Sequence, residues 1–331
     1  MAENGAANGE TGETGSEAPE RGAGAPSGRT GGLREGTPCW VEAQLSDVEA
    51  GRRFYGELFG WTFGQTGEDG ETGEDGEDGE DGEDGESEGG SGGSGDAGDP
   101  ASEPERPKEP GKAEQPGKAE RPGKAGRPGE PQQPGTSLRA YLEGEPVAAL
   151  VRKTDGRMPT VWSVYFHTPD ARALAERIRA GGGQVVTPPH PVGELGTAAL
   201  AADPEGAVFA LWEPGGHRGF GRRHEPGTFA WAELYTRDTE AANAFYGDLF
   251  HDALFGPDAD PDFGRAPVSD VFPAEMPPHF LVHFLVRDVE VALGTVARLG
   301  GRVRVPPFET SYGRAAVVSD GQGASFALLQ R

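Results

Sequence analysis

Two segments of the chain place apolar side chains at the spacing of a helix that is buried on one face. In each segment an aspartate stands just before the first turn. The apolar stripes consist of Val48, Phe54, Leu58 and Phe59 in the first segment, and of Ala241, Phe245, Leu249 and Phe250 in the second. An aspartate in that place can accept hydrogen bonds from the free N–H groups of the first turn. We therefore predict two helices, capped by Asp47 and Asp238.

Each predicted helix follows a short strand, at 39–45 or at Phe229–Thr236. Side chains two residues apart along a strand share a face of the sheet. The face that begins with tryptophan carries Trp40, Glu42 and Gln44 in the first strand, and Trp231, Glu233 and Tyr235 in the second. Because tryptophan, the strand and the capped helix all recur, the chain is predicted to contain a duplicated domain.

A weaker repeat lies inside each copy. A strand, a helix, a Gly-Gly pair, a Pro-Pro pair and a hairpin follow one another in both halves of the chain, with hairpin turns at 203–206 and 320–323. The strands of this repeat carry Ser163, Tyr165 and His167 on one face in the first half, and Leu281, His283 and Leu285 in the second. We therefore predict an α+β fold in which a strand–helix–three-strand module is used four times. In this arrangement Glu42 is expected to face Tyr165, and Glu233 to face His283.

The repeats also set the predicted boundaries. These are a disordered tail at 1–36, a first domain at 37–215, a linker at 216–227 and a second domain at 228–331. The short stretch between Phe250 and Pro278 leaves little room for three strands. The second domain is therefore expected to lack one strand or to contain a very short one.

The first domain is interrupted by a long insertion at 66–135. Glu-Asp-Gly triplets and then Pro-Gly-Lys-Ala repeats fill it, and such a composition cannot bury enough apolar surface to order the chain, so we predict disorder. The insertion holds 21 acidic and 7 basic side chains, more than half of the net charge of −25. No basic face remains elsewhere, which argues against a nucleic-acid partner.

The remaining composition favours a cytoplasmic protein. No apolar run is long enough to cross a membrane, so no membrane partner is expected. The single cysteine, Cys39, excludes an intramolecular disulfide and is expected to be buried in its strand. The sequence does not indicate an oligomeric state.

The order of these elements resembles the vicinal oxygen chelate superfamily. The resemblance is carried by the capped helix with Phe-Tyr-x-x-Leu-Phe, by Gly-Gly-x-Val-x-x-Pro-Pro and by Asp-Pro-x-Gly-x-x-Phe-x-Leu, over roughly 37–65 and 136–331. The tandem arrangement is similar to an actinobacterial two-domain subgroup labelled glyoxalase-like or hydroxylase. The resemblance implies cup-shaped domains built from paired βαβββ modules, as in glyoxalase I, extradiol dioxygenases and bleomycin-resistance proteins.

The metal-using members of this superfamily carry a His, Gln or Glu on the first strand of a module and a Glu after the turn aspartate. The residues of this chain at those places are Trp40, Ser163, Trp231, Leu281, Ala210 and Ala327. None of these side chains is a good ligand for a divalent cation. We therefore expect no metal and no other cofactor, with a divalent metal as the alternative if Glu42, Glu233 and His283 act in a shifted register.

These residues lead to a functional hypothesis with open alternatives. Glu42, Glu233 and His283 are candidate catalytic residues, with Glu233 and His283 either a general base pair or a buried polar pair. Candidate ligand-binding residues are Trp40, Gln44, Tyr165, His167, Trp231 and Tyr235, although both tryptophans also suit core packing. We expect a protein that binds a small, possibly aromatic, organic molecule. The alternatives are a metal-dependent lyase, dioxygenase or hydroxylase, and a non-catalytic protein that sequesters an antibiotic.

Overall fold

The computed structural model describes residues 33–65, 137–256, 262–268, 271–273 and 275–331. The predicted insertion at 66–135 and residues 1–32 of the predicted tail lie outside these ranges. The described strands form two mixed sheets and the described helices are few, which confirms the predicted α+β fold. No helix in these ranges is long and apolar enough to cross a membrane.

The first sheet has eight strands within the described residues and runs in the order β2-β3-β4-β1-β5-β8-β7-β6. Its strands are β1 Pro38–Leu45, β2 Thr62–Gln65, β3 Ser137–Leu142, β4 Glu145–Arg152, β5 Val161–His167, β6 Gln184–Val192, β7 Gly196–Ala202 and β8 Val208–Pro214. The sheet is mixed because β1 pairs with β4, and β5 with β8, in parallel, whereas its hairpins are antiparallel.

The second sheet has six strands within the described residues, in the order β10-β9-β11-β14-β13-β12. Its strands are β9 Phe229–Thr236, β10 Phe263–Pro267, β11 His279–Leu285, β12 Arg302–Thr310, β13 Gly313–Ser319 and β14 Ser325–Gln330. Strand β10 runs parallel to β9 as β4 runs parallel to β1, so β10 is the counterpart of β4. The described residues contain no counterpart of β2 and β3.

Each module begins its helix with an aspartate cap. The helices are α1 Val48–Phe59, α2 Ala171–Ala180, α3 Thr239–Phe255 and α4 Val289–Arg298. The side chains of Asp47 and Asp238 each accept a hydrogen bond from a first-turn N–H group, so both predicted caps are confirmed. Helix α3 is kinked at Phe250, where the backbone leaves helical geometry, and the Arg177 guanidinium donates a hydrogen bond to the carbonyl of Leu249.

The described residues divide into two compact units. Unit 1 contains 33–41, 163–224, 229–256, 262–268, 271–273 and 275–285, and unit 2 contains 42–65, 137–162, 225–228 and 286–331. Unit 1 therefore holds α2 and α3, and unit 2 holds α1 and α4. Each sheet is formed by strands from one half of the chain, whereas each unit contains one helix from each half.

Each unit is built around a buried tyrosine that bonds to a turn aspartate from the other half of the chain. In unit 2 the Tyr55 hydroxyl donates to Asp320 Oδ2 at 2.9 Å, and in unit 1 the Tyr246 hydroxyl donates to Asp203 Oδ2 at 3.1 Å. Burial and the neighbouring carboxylate raise the pKa of both tyrosines well above the ordinary value of 10. The phenols therefore stay neutral, as hydrogen-bond donors inside an apolar core should.

Candidate functional site

Strands β9 and β11 bring most of the predicted residues of the second domain onto one face, which we call the Trp231 face. The residues directly opposite each other are Trp231 and His283, Glu233 and Leu281, and Tyr235 and His279. Opposite residues of an antiparallel pair share a face. The structure therefore places Glu233 and His283 diagonally, one pair apart, whereas the sequence predicted that they face each other.

Glu233 is held by its neighbour two residues earlier. The indole Nε1 of Trp231 donates to Glu233 Oε2 at 2.8 Å. Gly264 of β10 lies opposite Glu233, and a Cβ atom there would come within 2.3 Å of the Trp231 ring and 2.8 Å of Glu233 Oε1. Only glycine gives the indole and the carboxylate room to pack against the backbone of β10.

The two ionisable groups of this face have perturbed pKa values for the same reason. Burial raises the pKa of Glu233, although the hydrogen bond from Trp231 and the charge of Arg265 act in the opposite direction. Burial lowers the pKa of His283 from 6.5 to about 4, and the nearby backbone of Leu281 and Trp231 acts in the opposite direction. Removal from water disfavours the charged form of each group. At neutral pH the face thus offers a neutral imidazole beside a carboxylate that binds protons more readily than usual.

His283 has an unused polar atom within the described part of the chain. Its side chain is 8% exposed, and its Nδ1 is buried without a hydrogen-bond partner there. Leaving a buried polar atom unpaired costs about 1–3 kcal/mol, so such an atom calls for an explanation. A polar group on a bound molecule could supply the missing partner.

An aromatic wall lies at the Tyr235–His279 end of the same face. The rings of Tyr235 and His279 stack with centroids 5.7 Å apart, and Phe272 stands edge-on to both at 4.9 Å. Burial lowers the pKa of His279, which keeps this ring neutral as well. His279, Phe272 and Gly264 were not predicted from the sequence. The alternation of β11 could have indicated His279, but the positions of the other two depend on tertiary contacts.

Unit 2 contains a smaller polar group formed by Glu42, Gln44 and Arg139. The side-chain amide of Gln44 donates to Glu42 Oε1. Glu42 and Arg139 both lie opposite Ala149, on its two sides in the sheet, and Arg139 is only 6% exposed. The sequence did not single out Arg139. Tyr165, which Glu42 was expected to face, belongs to unit 1.

The other predicted residues of the first domain lie in or next to a tightly packed group of rings. We call this group the Trp40 cluster; it consists of Trp40, Tyr165, Trp212, His217 and Phe220. Trp40 is 6% exposed, and its ring meets His217 edge-on at 4.4 Å and Phe220 at 5.6 Å. Tyr165 and Trp212 also meet edge-on, at 6.4 Å. His167 lies opposite Trp212 in the sheet, and burial lowers its pKa. His217 and Phe220 come from the predicted linker and were not foreseen.

The described residues do not fit the divalent metal that the metal-using members of the superfamily bind. They contain no group of three or more His, Cys, Asp or Glu side chains placed to hold a cation. On the Trp231 face the possible ligands are Glu233, His279 and His283, but they do not converge, since the two histidines are four residues apart along β11 and Glu233 Oε2 already accepts the indole N–H. Protein metal sites normally supply at least three such ligands.

Two open cavities lie elsewhere in unit 1. They measure about 610 and 580 Å³, and both are lined by Arg177, Asp248 and Leu249. The first also contacts Arg34 and Glu35, whose carboxylate pairs with Arg177 at 2.6 Å. None of the predicted site residues lines either cavity, and the walls of both include the charged side chains of Arg177 and Asp248.

Comparison with known proteins places these features in a family. The model described as Glyoxalase/Bleomycin resistance protein/Dioxygenase superfamily matches residues 39–211. A Mycobacterium tuberculosis protein named "Putative glyoxylase CFP32" is 29% identical over 312 residues, which cover 90% of this chain and 95% of that protein. The anthracycline biosynthesis protein DnrV of Streptomyces peucetius is 36% identical over 183 residues, which cover 52% of this chain and 66% of DnrV.

Solved structures show more distant similarity. The Mn(II)-bound glyoxalase from Novosphingobium aromaticivorans is 13% identical, with a TM-score of 0.48 over 90% of this chain and 83% of that one. The 2,3-dioxygenase LapB from Pseudomonas sp. KL28 is 12% identical, with a TM-score of 0.49 over 90% and 93%.

Proposed function

The chain belongs to the glyoxalase/bleomycin resistance protein/dioxygenase superfamily, and on that premise we propose that it binds a small, planar organic molecule on the Trp231 face. The observation that carries the proposal is the combination of polar and aromatic groups there. The Nδ1 of His283, which has no partner among the described residues, and the carboxylate of Glu233 lie on the same face as the stacked rings of Tyr235 and His279. Small-molecule sites typically combine apolar and aromatic walls with a few polar groups that fix orientation.

The names of two relatives support a flat aromatic ligand. DnrV and DauV are both named for anthracycline biosynthesis, and anthracyclines contain fused planar rings. A ring system of this kind could stack on an aromatic wall and place a hydroxyl or carbonyl group at His283.

We propose further that binding does not require a divalent metal, because the donor set described above does not fit one. A metal-free enzyme is the second candidate function, and the raised pKa of Glu233 favours it. A carboxylate whose pKa is shifted toward neutrality is suited to remove a proton from a bound molecule. Trp231 would then orient this base through its 2.8 Å hydrogen bond.

The binding proposal is tested with an anthracycline as the probe. We expect saturable quenching of tryptophan fluorescence, and we expect Trp231→Phe to weaken binding about tenfold, since loss of the indole and of its bond to Glu233 amounts to roughly 1.4 kcal/mol. Trp40→Phe is the matched control because Trp40 occupies the same place in the repeat but is buried. Binding that is absent, or insensitive to Trp231→Phe, would contradict the proposal.

The metal proposal has its own test. We expect protein purified without a tag to contain far less than one equivalent of Zn, Fe, Mn or Ni. A chelator should leave its melting temperature unchanged, because a bound metal would stabilise the native state by mass action. Stoichiometric metal that disappears in Glu233→Ala or His283→Ala would instead establish the metal-dependent alternative.

A further inference from the structure

The segment that follows β8 is fixed against the Trp40 cluster by its backbone. We call residues 215–220 the linker segment. The N–H groups of Gly215 and His217 donate to the carbonyl of Leu195, and the N–H group of Phe220 donates to the carbonyl of Cys39 at 2.9 Å. The bond to Cys39 ties the segment to β1 at the residue next to Trp40, and the bonds to Leu195 tie it to the turn between β6 and β7.

A glycine allows this close approach. Gly219 has a φ of +108°, and a Cβ atom there would lie 2.3 Å from the Cys39 carbonyl oxygen. A side chain at this position would clash with the backbone of β1 and would also strain its own backbone. The sequence of the linker segment is therefore suited to lie against β1.

The linker segment places the His217 imidazole against the rings of Trp40 and Trp212. The His217 imidazole is 9% exposed, stands edge-on to Trp40 at 4.4 Å and lies 5.8 Å from Trp212. The Trp212 indole N–H donates to the His217 carbonyl at 2.9 Å, which fixes the backbone that carries this imidazole. A planar nitrogen heterocycle thus occupies the position against Trp40.

We propose that the rings of the Trp40 cluster that contact His217, which are Trp40 and Trp212, form a second ring-binding site. The chain fills this site with its own His217. The site accepts a small nitrogen heteroaromatic ring of imidazole size, in the edge-on arrangement that aromatic pairs favour. Because His217 occupies it, the unmodified chain does not offer this site to a free ligand. The proposal does not depend on what binds to the Trp231 face.

Removal of the imidazole should open the site to free imidazole, used as the probe. In His217→Gly the lost ring leaves a cavity beside Trp40, and a ligand that binds only the native state stabilises it. We expect imidazole to raise the melting temperature of His217→Gly in a saturable manner, with quenching of tryptophan fluorescence. The unmodified chain and His190→Gly, which removes an exposed histidine, should show neither effect.

A second substitution locates the bound imidazole. Adding Trp40→Ala to His217→Gly should abolish both the stabilisation and the quenching, whereas adding Trp231→Ala should preserve the stabilisation. If His217→Gly does not fold alone, it should fold when refolded with imidazole. Failure to fold in both conditions, absence of stabilisation, or stabilisation that survives Trp40→Ala would overturn the proposal. None of these readouts uses the anthracycline probe, so they also separate this proposal from the proposed function.

Discussion

Trp40 and Trp231 stand at the same place in the repeat, yet their surroundings differ. Trp40 is 6% exposed and is covered by the rings of His217 and Phe220. Trp231 is half-buried, and its indole N–H bonds to Glu233 on the face that also carries His283. A duplicated motif therefore does not imply equal surroundings, because the segments packed against it decide whether its tryptophan is covered by the chain itself or left half-exposed.

The first prediction has the largest expected effect and tests the difference in burial between Trp40 and Trp231. Trp40→Ala should lower the free energy of unfolding by about 3–5 kcal/mol, because it removes a fully packed aromatic side chain. Trp231→Ala should cost clearly less, since its ring is already partly in water. Denaturant titration of both variants measures the two values. Equal losses would mean that the two tryptophans have the same structural role.

The second prediction concerns His283, which only the Trp231 face contains. Its folded-state pKa of about 4 is below the ordinary 6.5, so the unfolded chain binds the proton more tightly. His283 therefore contributes stability that is fully present above pH 6.5 and is lost as the pH falls toward 4. The loss should be about 3 kcal/mol at about 1.4 kcal/mol per pKa unit.

His283→Gln isolates this contribution, since its amide is neutral throughout the range. His167 and His279 also have lowered pKa values and add acid sensitivity of the same sign. The difference between the unmodified chain and His283→Gln, measured by denaturant titration from pH 7 to 4, removes their part. An unchanged pH profile in the variant would show that His283 is not buried as described.

The third prediction compares the two tyrosine–aspartate bonds. Tyr55→Phe and Tyr246→Phe should each cost about 1–3 kcal/mol, because a buried carboxylate oxygen loses its donor. Tyr55→Phe should cost more, since the Trp162 indole N–H also donates to the Tyr55 hydroxyl, at 3.1 Å, and would lose its acceptor. Denaturant titration at neutral pH measures both. A larger loss for Tyr246→Phe would contradict this ranking.

The fourth and smallest prediction concerns the helix caps. Asp47→Ala and Asp238→Ala should each lower stability by about 0.5–2 kcal/mol through loss of the bond to a first-turn N–H group. The corresponding Asp→Asn variants are the controls, because asparagine caps a helix nearly as well. Thermal unfolding of the four variants provides the comparison. If the alanine and asparagine variants are equally stable, the caps do not contribute as proposed.

The turn residues show how far local sequence determines this fold. Asp203 and Asp320 both accept bonds from N–H groups two and four residues later, as the turn sequences indicate. Two residues after these aspartates, Glu205 accepts from the N–H groups of Arg237 and Asp238, and Gln322 bonds to both backbone groups of Asp47. The turns were predicted, whereas their attachment to the start of a helix in the other half of the chain was not.

The elements that could be predicted from the sequence are those marked by patterns within a single strand or helix turn. Side-chain periodicity predicted the first strand and the helix of each module, and the aspartates marked where Asp47 and Asp238 cap their helices, because these signals act over one turn or one strand. The strands β2, β3, β4 and β10 were not predicted individually. Tertiary structure alone decided that His217 covers Trp40, that Gly264 makes room for Trp231 and Glu233, and that Arg139 lies beside Glu42 across β4. Such contacts join residues that are distant in sequence, and their formation depends on the packing of the whole chain, which no local pattern encodes.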